Sequence, residues 1–230
     1  MTLGTQGDAV RCVEYSEQHG VAISGGWDKT VRIYDPRSGE ISKSGQPEKV
    51  HAMTLSPNGS FLTVCHAGKT VYVYDLHKME KPLQKRTSPL AEATRSVTSF
   101  PDNKGFTISS LEGRIAVEHF DQSSKSKSRS YAFKCHRTHD KEGNEMSHPV
   151  HSMSFNPRDG SFVSGGAEGQ VSVWDLQKKK KVRELRRFPQ SVASLSFSGD
   201  GSKLAVATSY LFEHGPFVSN IDQAIFIKKY

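Results

Sequence analysis

Residues 10–35 read VRCVEYSEQHGVAISGGWDKTVRIYD, and the fold follows from how this stretch divides. Val10–Ser16 alternates and is rich in residues that suit a pleated strand. Glu17–Gly20 is polar and turn-forming. Val21–Ser24 is apolar again, Gly25–Thr30 has the glycines of a tight turn, and Val31–Asp35 alternates to an aromatic followed by an acid. The pattern predicts three short strands joined by turns.

The same order recurs along the chain. Five segments align: VRCVEYS from Val10, VHAMTLS from Val50, TRSVTSF from Thr94, VHSMSFN from Val150 and VASLSFS from Val192. Four are followed by a glycine turn and an alternating strand, GGWDKTVRIYD, HAGKTVYVYD, LEGRIAVEHFD and AEGQVSVWD, ending at Asp35, Asp75, Asp121 and Asp175. The first interval is 40 residues, and insertions stretch the later ones. A period of about 40–45 with four short strands per unit is the signature of a WD-repeat β-propeller. Trp174-Asp175 is the dipeptide itself, and Tyr34-Asp35, Tyr74-Asp75 and Phe120-Asp121 are aromatic variants of it. Fourth strands are expected near Ile41–Ser44, Leu83–Arg86, Tyr131–Cys135 and Val182–Leu185. No 3.6-residue apolar period persists, which argues against a helical solenoid.

Residues 1–230 therefore read as a single all-β domain, with repeats near 8–45, 46–90, 91–137, 148–188 and 189–230. Gln122–Arg129, QSSKSKSR, and Thr138–His148, THDKEGNEMSH, break the rhythm and are expected to be loops. Residues 1–9 are too few for a further strand. The last repeat turns irregular between LAVATSY and AIFIKKY. These features predict an incomplete ring lacking blades on the N-terminal side.

The composition is that of a soluble globular chain: 230 residues, 35% hydrophobic and 24% charged. No apolar run approaches the roughly 18 residues of a membrane span, and no signal peptide is visible at the start. Cys12, Cys65 and Cys135 lack C-x-x-C spacing, so neither a disulfide framework nor a zinc site is expected. A reducing compartment follows. The net charge of +7 favours acidic partners. The Lys178–Lys181 run reads as a solvated hairpin turn that discourages edge pairing.

Catalytic and cofactor chemistry finds no motif. There is no phosphate-binding glycine loop between a strand and a helix, no nucleophile elbow and no Cys–His pair. The ten histidines form no metal set. Asp28, Asp35, Asp75, Asp121 and Asp175 recur at equivalent places, which points to carboxylates accepting local backbone N–H groups rather than to catalytic acids. No cofactor and no enzymatic activity are expected.

Several stretches carry a more specific likeness. DAVRCVEY, GGWDKTVRIYDPR, SGQPEKVHAM, SFPDNKGFTISSLEGRIAVEHFD, YAFKCHR and SVASLSF…LAVATSY…IFI together resemble the mitotic-checkpoint propeller of the Bub family, across residues 8–227. LEGRIAVEHFD and YAFKCHR are also similar to the related messenger-RNA export propeller of the nuclear pore. QPEKV and SFPDNKGFTISS favour the checkpoint member. The resemblance implies a seven-bladed ring, of which this chain matches the last five. It also implies a scaffold of the spindle checkpoint, in the nucleus and at kinetochores in mitosis, with the cytoplasm as a further location. The implied partners are the Bub-type and Mad-type checkpoint kinases, bound through acidic GLEBS motifs, and phosphorylated repeats of the kinetochore scaffold. A membrane and nucleic acid are not expected partners, and the unbound protein is expected to be a monomer. The export propeller, with RNA contact, is the alternative, and a ubiquitin-ligase adaptor is a weaker one.

A propeller presents its top through two kinds of loop. The turns between second and third strands contribute Trp27, Lys69, Arg114 and Gln170. The connections between units contribute Lys49, Arg95, Arg137 and Arg187, with Phe188 beside the last. These residues predict a ring of cations around an aromatic anchor, without a comparable set of acids. Trp27 has few core atoms to bury against at a turn tip, and exposed aromatics anchor partners. Arg114 could be a surface partner of Glu112, an arrangement worth little, or a guanidinium fork for a ligand carboxylate. The resemblance implies the second reading, with Trp27 and Arg114 at positions that grip the acidic segment and Arg137 beside them.

Overall fold

The protein is described here by a computed structural model that covers residues 2–211 and 223–230. It consists of antiparallel sheets whose strands follow chain order. The first sheet holds β1 (Val10–Ser16), β2 (Val21–Gly26), β3 (Thr30–Asp35) and β4 (Gly39–Gly45). The second holds β5 (Val50–Leu55), β6 (Phe61–His66), β7 (Thr70–Asp75) and β8 (Gln84–Thr87). The third holds β9 (Thr94–Ser99), β10 (Gly105–Ser110), β11 (Arg114–His119) and β12 (Tyr131–Lys134). After a hairpin of β13 (Arg137–His139) and β14 (Glu145–Ser147) comes the fourth sheet, β15 (Val150–Phe155), β16 (Phe162–Gly166), β17 (Val171–Asp175) and β18 (Lys180–Glu184). The fifth has β19 (Val192–Phe197), β20 (Lys203–Thr208) and β21 (Ala224–Lys229).

The first strand of each sheet packs on that of the next: β1 on β5, β5 on β9, β9 on β15 and β15 on β19. This is the five-bladed β-propeller arrangement that the repeats predicted. Alternation explains the packing, because one strand can serve two interfaces. In β6, Leu62 and Val64 join Ile23 and Val31 of the first sheet, while Cys65 joins Phe106 and Ile108 of the third. The further cores are built likewise, Ile115 with Phe162 and Val173 with Leu204.

At the two ends of the row no further sheet packs among the described residues. Val13 and Tyr15 of β1, and Ile225 and Ile227 of β21, are exposed. Residues 2–9 form no strand, as expected, but they lie across the first sheet. The Arg32 guanidinium donates to the Thr5 carbonyl at 2.7 Å, and the Gln6 amide donates to Ser24 Oγ at 2.8 Å.

Two expectations need correction. Thr138–His148 is not a loop: most of it forms the β13–β14 hairpin, with Thr138 opposite Met146. Gln122–Arg129 contains a helical turn, α1 (Ser124–Lys127), capped by Ser123, whose side chain accepts from the Ser126 N–H. Both segments are polar, so no apolar period could mark them. The irregular stretch foreseen in the last repeat falls largely on residues 212–222, outside the described residues. No helix among the described residues is long and apolar enough to cross a membrane.

Candidate partner-binding face

A repeated hydrogen bond builds the face. In every sheet a residue just after the second strand donates its N–H to the carbonyl of the segment leading into the first strand: Trp27 to Ala9, Ala67 to Lys49, Leu111 to Ala93, Ala167 to Pro149 and Ser209 to Ser191, at 2.9–3.3 Å. Turns and connections therefore lie together at one end of each sheet.

Trp27 sits on this rim, 40% exposed, with Lys49 Nζ 4.9 Å from its ring centroid. Its turn is fixed by Asp28, whose Oδ1 accepts from the Thr30 N–H and hydroxyl. Arg114 opens β11 after a turn that demands glycine. Gly113 has φ +65°, and a Cβ there would stand 2.7 Å from the Cys135 carbonyl. The Arg114 side chain is 40% exposed and only loosely paired, its Nε 3.8 Å from Glu112 Oε1. Arg137 is more engaged, donating to the Glu112 carbonyl at 2.8 Å and to Glu145 Oε1 at 3.1 Å. Lys69 is exposed at the tip of the second turn of this kind, with φ +70°. Arg187 is exposed and donates to the Glu168 carbonyl at 2.8 Å. Gln170 turns inward, its amide donating to the Val171 and Leu185 carbonyls.

Two features of the expected ring are corrected. Acids are present: Glu48 pairs with Lys29 at 2.9 Å, and Glu112 and Glu145 stand beside Arg114 and Arg137. Glu112 lies in the same turn as Arg114 and Glu48 precedes Lys49, while Glu145 reaches Arg137 from across the β13–β14 hairpin. Phe188 is buried against Phe226, ring centroids 5.1 Å apart, and belongs to the core.

Of a second tier, sequence reasoning named only Arg95, and placed it in a connection where the structure has it in β9. The first strands carry a β-bulge near their second residue, with pairing shifts between Val10 and Cys12, Val50 and Ala52, and Val150 and Ser152; β9 bulges where Ser109 pairs with Ser96 and Ser110 with Thr94. The bulged residues are Arg11, His51, Arg95 and His151, and in the fifth sheet Ala193. Arg95 Nε lies 3.0 Å from His151 Nδ1. Burial, then the charges of Arg11, Lys49 and Arg95, hold His51 below the usual histidine range. A sum of cations with this effect favours an anionic ligand.

The recurring aspartates do local work. Asp35, Asp75, Asp121 and Asp175 each accept a backbone N–H two or three residues on, from Arg37, His77, Ser123 and Lys178 at 2.8–2.9 Å. The Ser126 hydroxyl and the Ser123 N–H hold Asp121 at about 2.

One constellation looks catalytic. His136 Nδ1 lies 2.6 Å from Glu168 Oε1, and its Nε2 lies 2.7 Å from Ser164 Oγ. Both Ser164 and the His136 side chain are fully buried, and the Trp174 indole donates to Ser164 Oγ at 2.8 Å. No substrate can reach a serine so enclosed. The chain of bonds is instead what ties the Trp-Asp strand to the connection between sheets. Tyr74, the corresponding aromatic of the second sheet, donates to Gln46 Oε1 at 3.0 Å. The three cysteines are free, and burial pushes the Cys12 thiol up to about 12 and the Cys65 and Cys135 thiols up as well. Thiols so shifted are poor nucleophiles. No cluster of His, Cys, Asp or Glu among the described residues could hold a metal ion.

Comparison with known proteins agrees with this architecture. The WD domain, G-beta repeat family matches residues 1–35, 39–75 and 133–175. The mitotic checkpoint protein BUB3.1 of Arabidopsis thaliana is 44% identical over 98% of this chain, which spans 67% of that protein. The mitotic checkpoint protein bub-3 of Caenorhabditis elegans is 43% identical over 92% of the chain and 62% of its own length. The mRNA export factor GLE2 of Chaetomium thermophilum is 32% identical over 90% of the chain and 57% of its own length. Among solved structures, the β-propeller domain of Myceliophteria thermophila Cps50 (Swd1) superimposes with a TM-score of 0.72 at 13% identity, covering 97% of this chain and 72% of that one, which is a likeness of fold. The chain belongs to the Bub3 family of WD-repeat proteins.

Proposed function

We propose that this chain is a non-enzymatic scaffold of the mitotic spindle checkpoint, binding acidic GLEBS-type segments of Bub-type and Mad-type kinases and phosphorylated kinetochore repeats. The observation that carries the reading is the pairing of an exposed indole, Trp27, with cations on one rim: Lys49 at its face, Arg114 loosely held, and the bulged Arg11 and Arg95 inward of them. An extended acidic peptide would lay an apolar side chain against Trp27 and its carboxylates against the guanidinium forks. Lys69 and Arg187 extend the cationic rim and attract the peptide at longer range. Work at kinetochores, and residence in the nucleus, belong to this reading.

Calorimetric titration with a synthetic GLEBS peptide tests it. Saturable binding that weakens with salt supports the proposal, and no heat from a folded chain refutes it. The mRNA-export reading draws on the net charge of +7 and on the likeness to GLE2. The higher identity to the checkpoint proteins favours the first. Single-stranded RNA bound with a steep salt dependence would reverse that preference.

A further inference from the structure

A cavity of about 570 Å³ opens between the third and fourth sheets, at the opposite end of β11 from Arg114. Its floor is apolar, with Phe100, Tyr131 and Phe155, and its rim carries Lys104, Arg129 and Lys179 against the single carboxylate of Asp102. Those cations are weakly occupied. Lys104 pairs with Asp102 at 3.4 Å with both side chains exposed, Lys179 lies over the Tyr131 ring at 4.5 Å, and Arg129 donates to Ser126 Oγ at 2.9 Å. One polar wall is Ser128, exposed, at the end of α1.

We propose that Ser128 is a phosphorylation site whose phosphate docks among Lys104, Arg129 and Lys179 and closes this cavity. The sequence around it, Lys125-Ser126-Lys127-Ser128-Arg129, places lysines three and one residues before the acceptor and arginine after it. That is the pattern read by basophilic protein kinases. The flanking serines are less suited. Ser123 and Ser126 both donate to Asp121 Oδ2 at 2.7 Å, and a phosphate there would face that carboxylate. Ser126 is also buried, and Ser130 is partly buried beside His119. The helix is one turn long and held by local bonds, so opening it into a kinase cleft is inexpensive. In the reaction, Ser128 Oγ bonds to the γ-phosphorus of a nucleoside triphosphate. The bond to the bridging oxygen breaks, the diphosphate leaves, and the hydroxyl proton passes to the kinase base. The product carries close to two negative charges at pH 7, against rim cations offset now by Asp102 in the lining and by Asp121 near Arg129.

The test has two arms. The purified chain is incubated with the catalytic subunit of cyclic-AMP-dependent kinase and Mg-ATP, and the sites are mapped by mass spectrometry. Phosphate at Ser128, absent in Ser128→Ala, is expected, and modification only elsewhere or nowhere overturns the assignment. For docking, phosphoserine is encoded directly at position 128 and its second ionisation followed by ³¹P NMR. Docking lowers that pKa by about one unit relative to a free phosphoserine peptide, and Lys104→Gln with Lys179→Gln restores it. A value equal to the peptide's in the unsubstituted protein overturns the docking.

Discussion

Lys49 Nζ stands 4.9 Å from the centre of the Trp27 ring, across the junction of the first two sheets. The cation is attracted by the negative face of the indole, an interaction worth about 0.5–1 kcal/mol at an exposed site. It ties the ring to the connection that leads into β5. A ligand carboxylate that approaches Lys49 therefore meets the indole already in place.

Trp27→Ala is expected to weaken binding of a GLEBS peptide by 30-fold or more, since aromatic anchors at rims are worth about 2 kcal/mol or above. Because the side chain is not part of the core, the melting temperature should stay within about 2 °C of the parent. Calorimetry and a thermal melt on the same sample check both halves. Lost affinity accompanied by a large fall in melting temperature would assign Trp27 to structure.

Arg114 and Arg137 should part company when each is reversed to Glu. Arg114 makes one long contact, with Glu112 at 3.8 Å, so Arg114→Glu removes binding and leaves the fold intact. Arg137 bridges the Glu112 carbonyl and Glu145, anchoring the β13–β14 hairpin to the third sheet. Arg137→Glu should cost about 1–3 kcal/mol of stability as well as affinity. Urea unfolding curves of the two variants distinguish them, and equal stability would refute the bridging role.

His66 and Glu14 make the stability depend on pH in opposite senses. Burial holds His66 down to about 4, with its Nε2 facing Gln46 Oε1 at 2.9 Å and its Nδ1 near the Thr70 hydroxyl. The unfolded chain takes up that proton near pH 6.5 and the folded one does not. Stability is therefore lost as pH falls from about 6.5 to 4, by about 2–3 kcal/mol. Burial raises Glu14 to about 7, so here the folded state holds the extra proton. That contribution is complete below pH 4.5 and is lost as pH rises to about 7. Glu14→Gln should raise stability at pH 8 by about 1–3 kcal/mol and leave a steeper acid limb. His66→Phe should flatten the acid limb whatever its effect at pH 8. Urea midpoints between pH 4 and 8 read out both.

The fold was legible because its period is carried by apolar alternation and by the aromatic-Asp pairs, which the turns then use: every strand-end aspartate caps its turn as the repetition suggested. The β13–β14 hairpin left no such trace, since Glu145, Met146 and Ser147 are all exposed and bury no face. The bulged tier was visible but unread. The second residue of four of the five aligned segments is basic, Arg11, His51, Arg95 and His151, with Ala193 in the fifth, a column that stands out in an otherwise apolar and small-residue pattern. A bulge turns such a residue out of the pleat, which is why strand alternation alone could not assign its direction. The Ser164, His136 and Glu168 chain was out of reach for another reason. His136 stands in a connection with φ +49°, and its partners come from the middle of β16 and the turn after it.

That chain supplies a last prediction. Trp174 donates to Ser164 Oγ, and His136 bridges that hydroxyl and Glu168 Oε1 through its two ring nitrogens, so each member satisfies the next. Ser164→Ala leaves both the Trp174 N–H and His136 Nε2 without a partner in a fully buried place. The cost is about 1–3 kcal/mol for each stranded group. Trp174→Phe strands nothing but removes an indole that packs on Phe133 at 4.9 Å between centroids, and the serine keeps its bond to histidine. Ser164→Ala should therefore destabilise more than its one lost oxygen suggests, and the double variant should cost less than the sum of the two. A double-mutant cycle in urea measures that coupling. Strict additivity would show that the tryptophan and the histidine are held independently, and that the dipeptide for which these repeats are named acts here through packing alone.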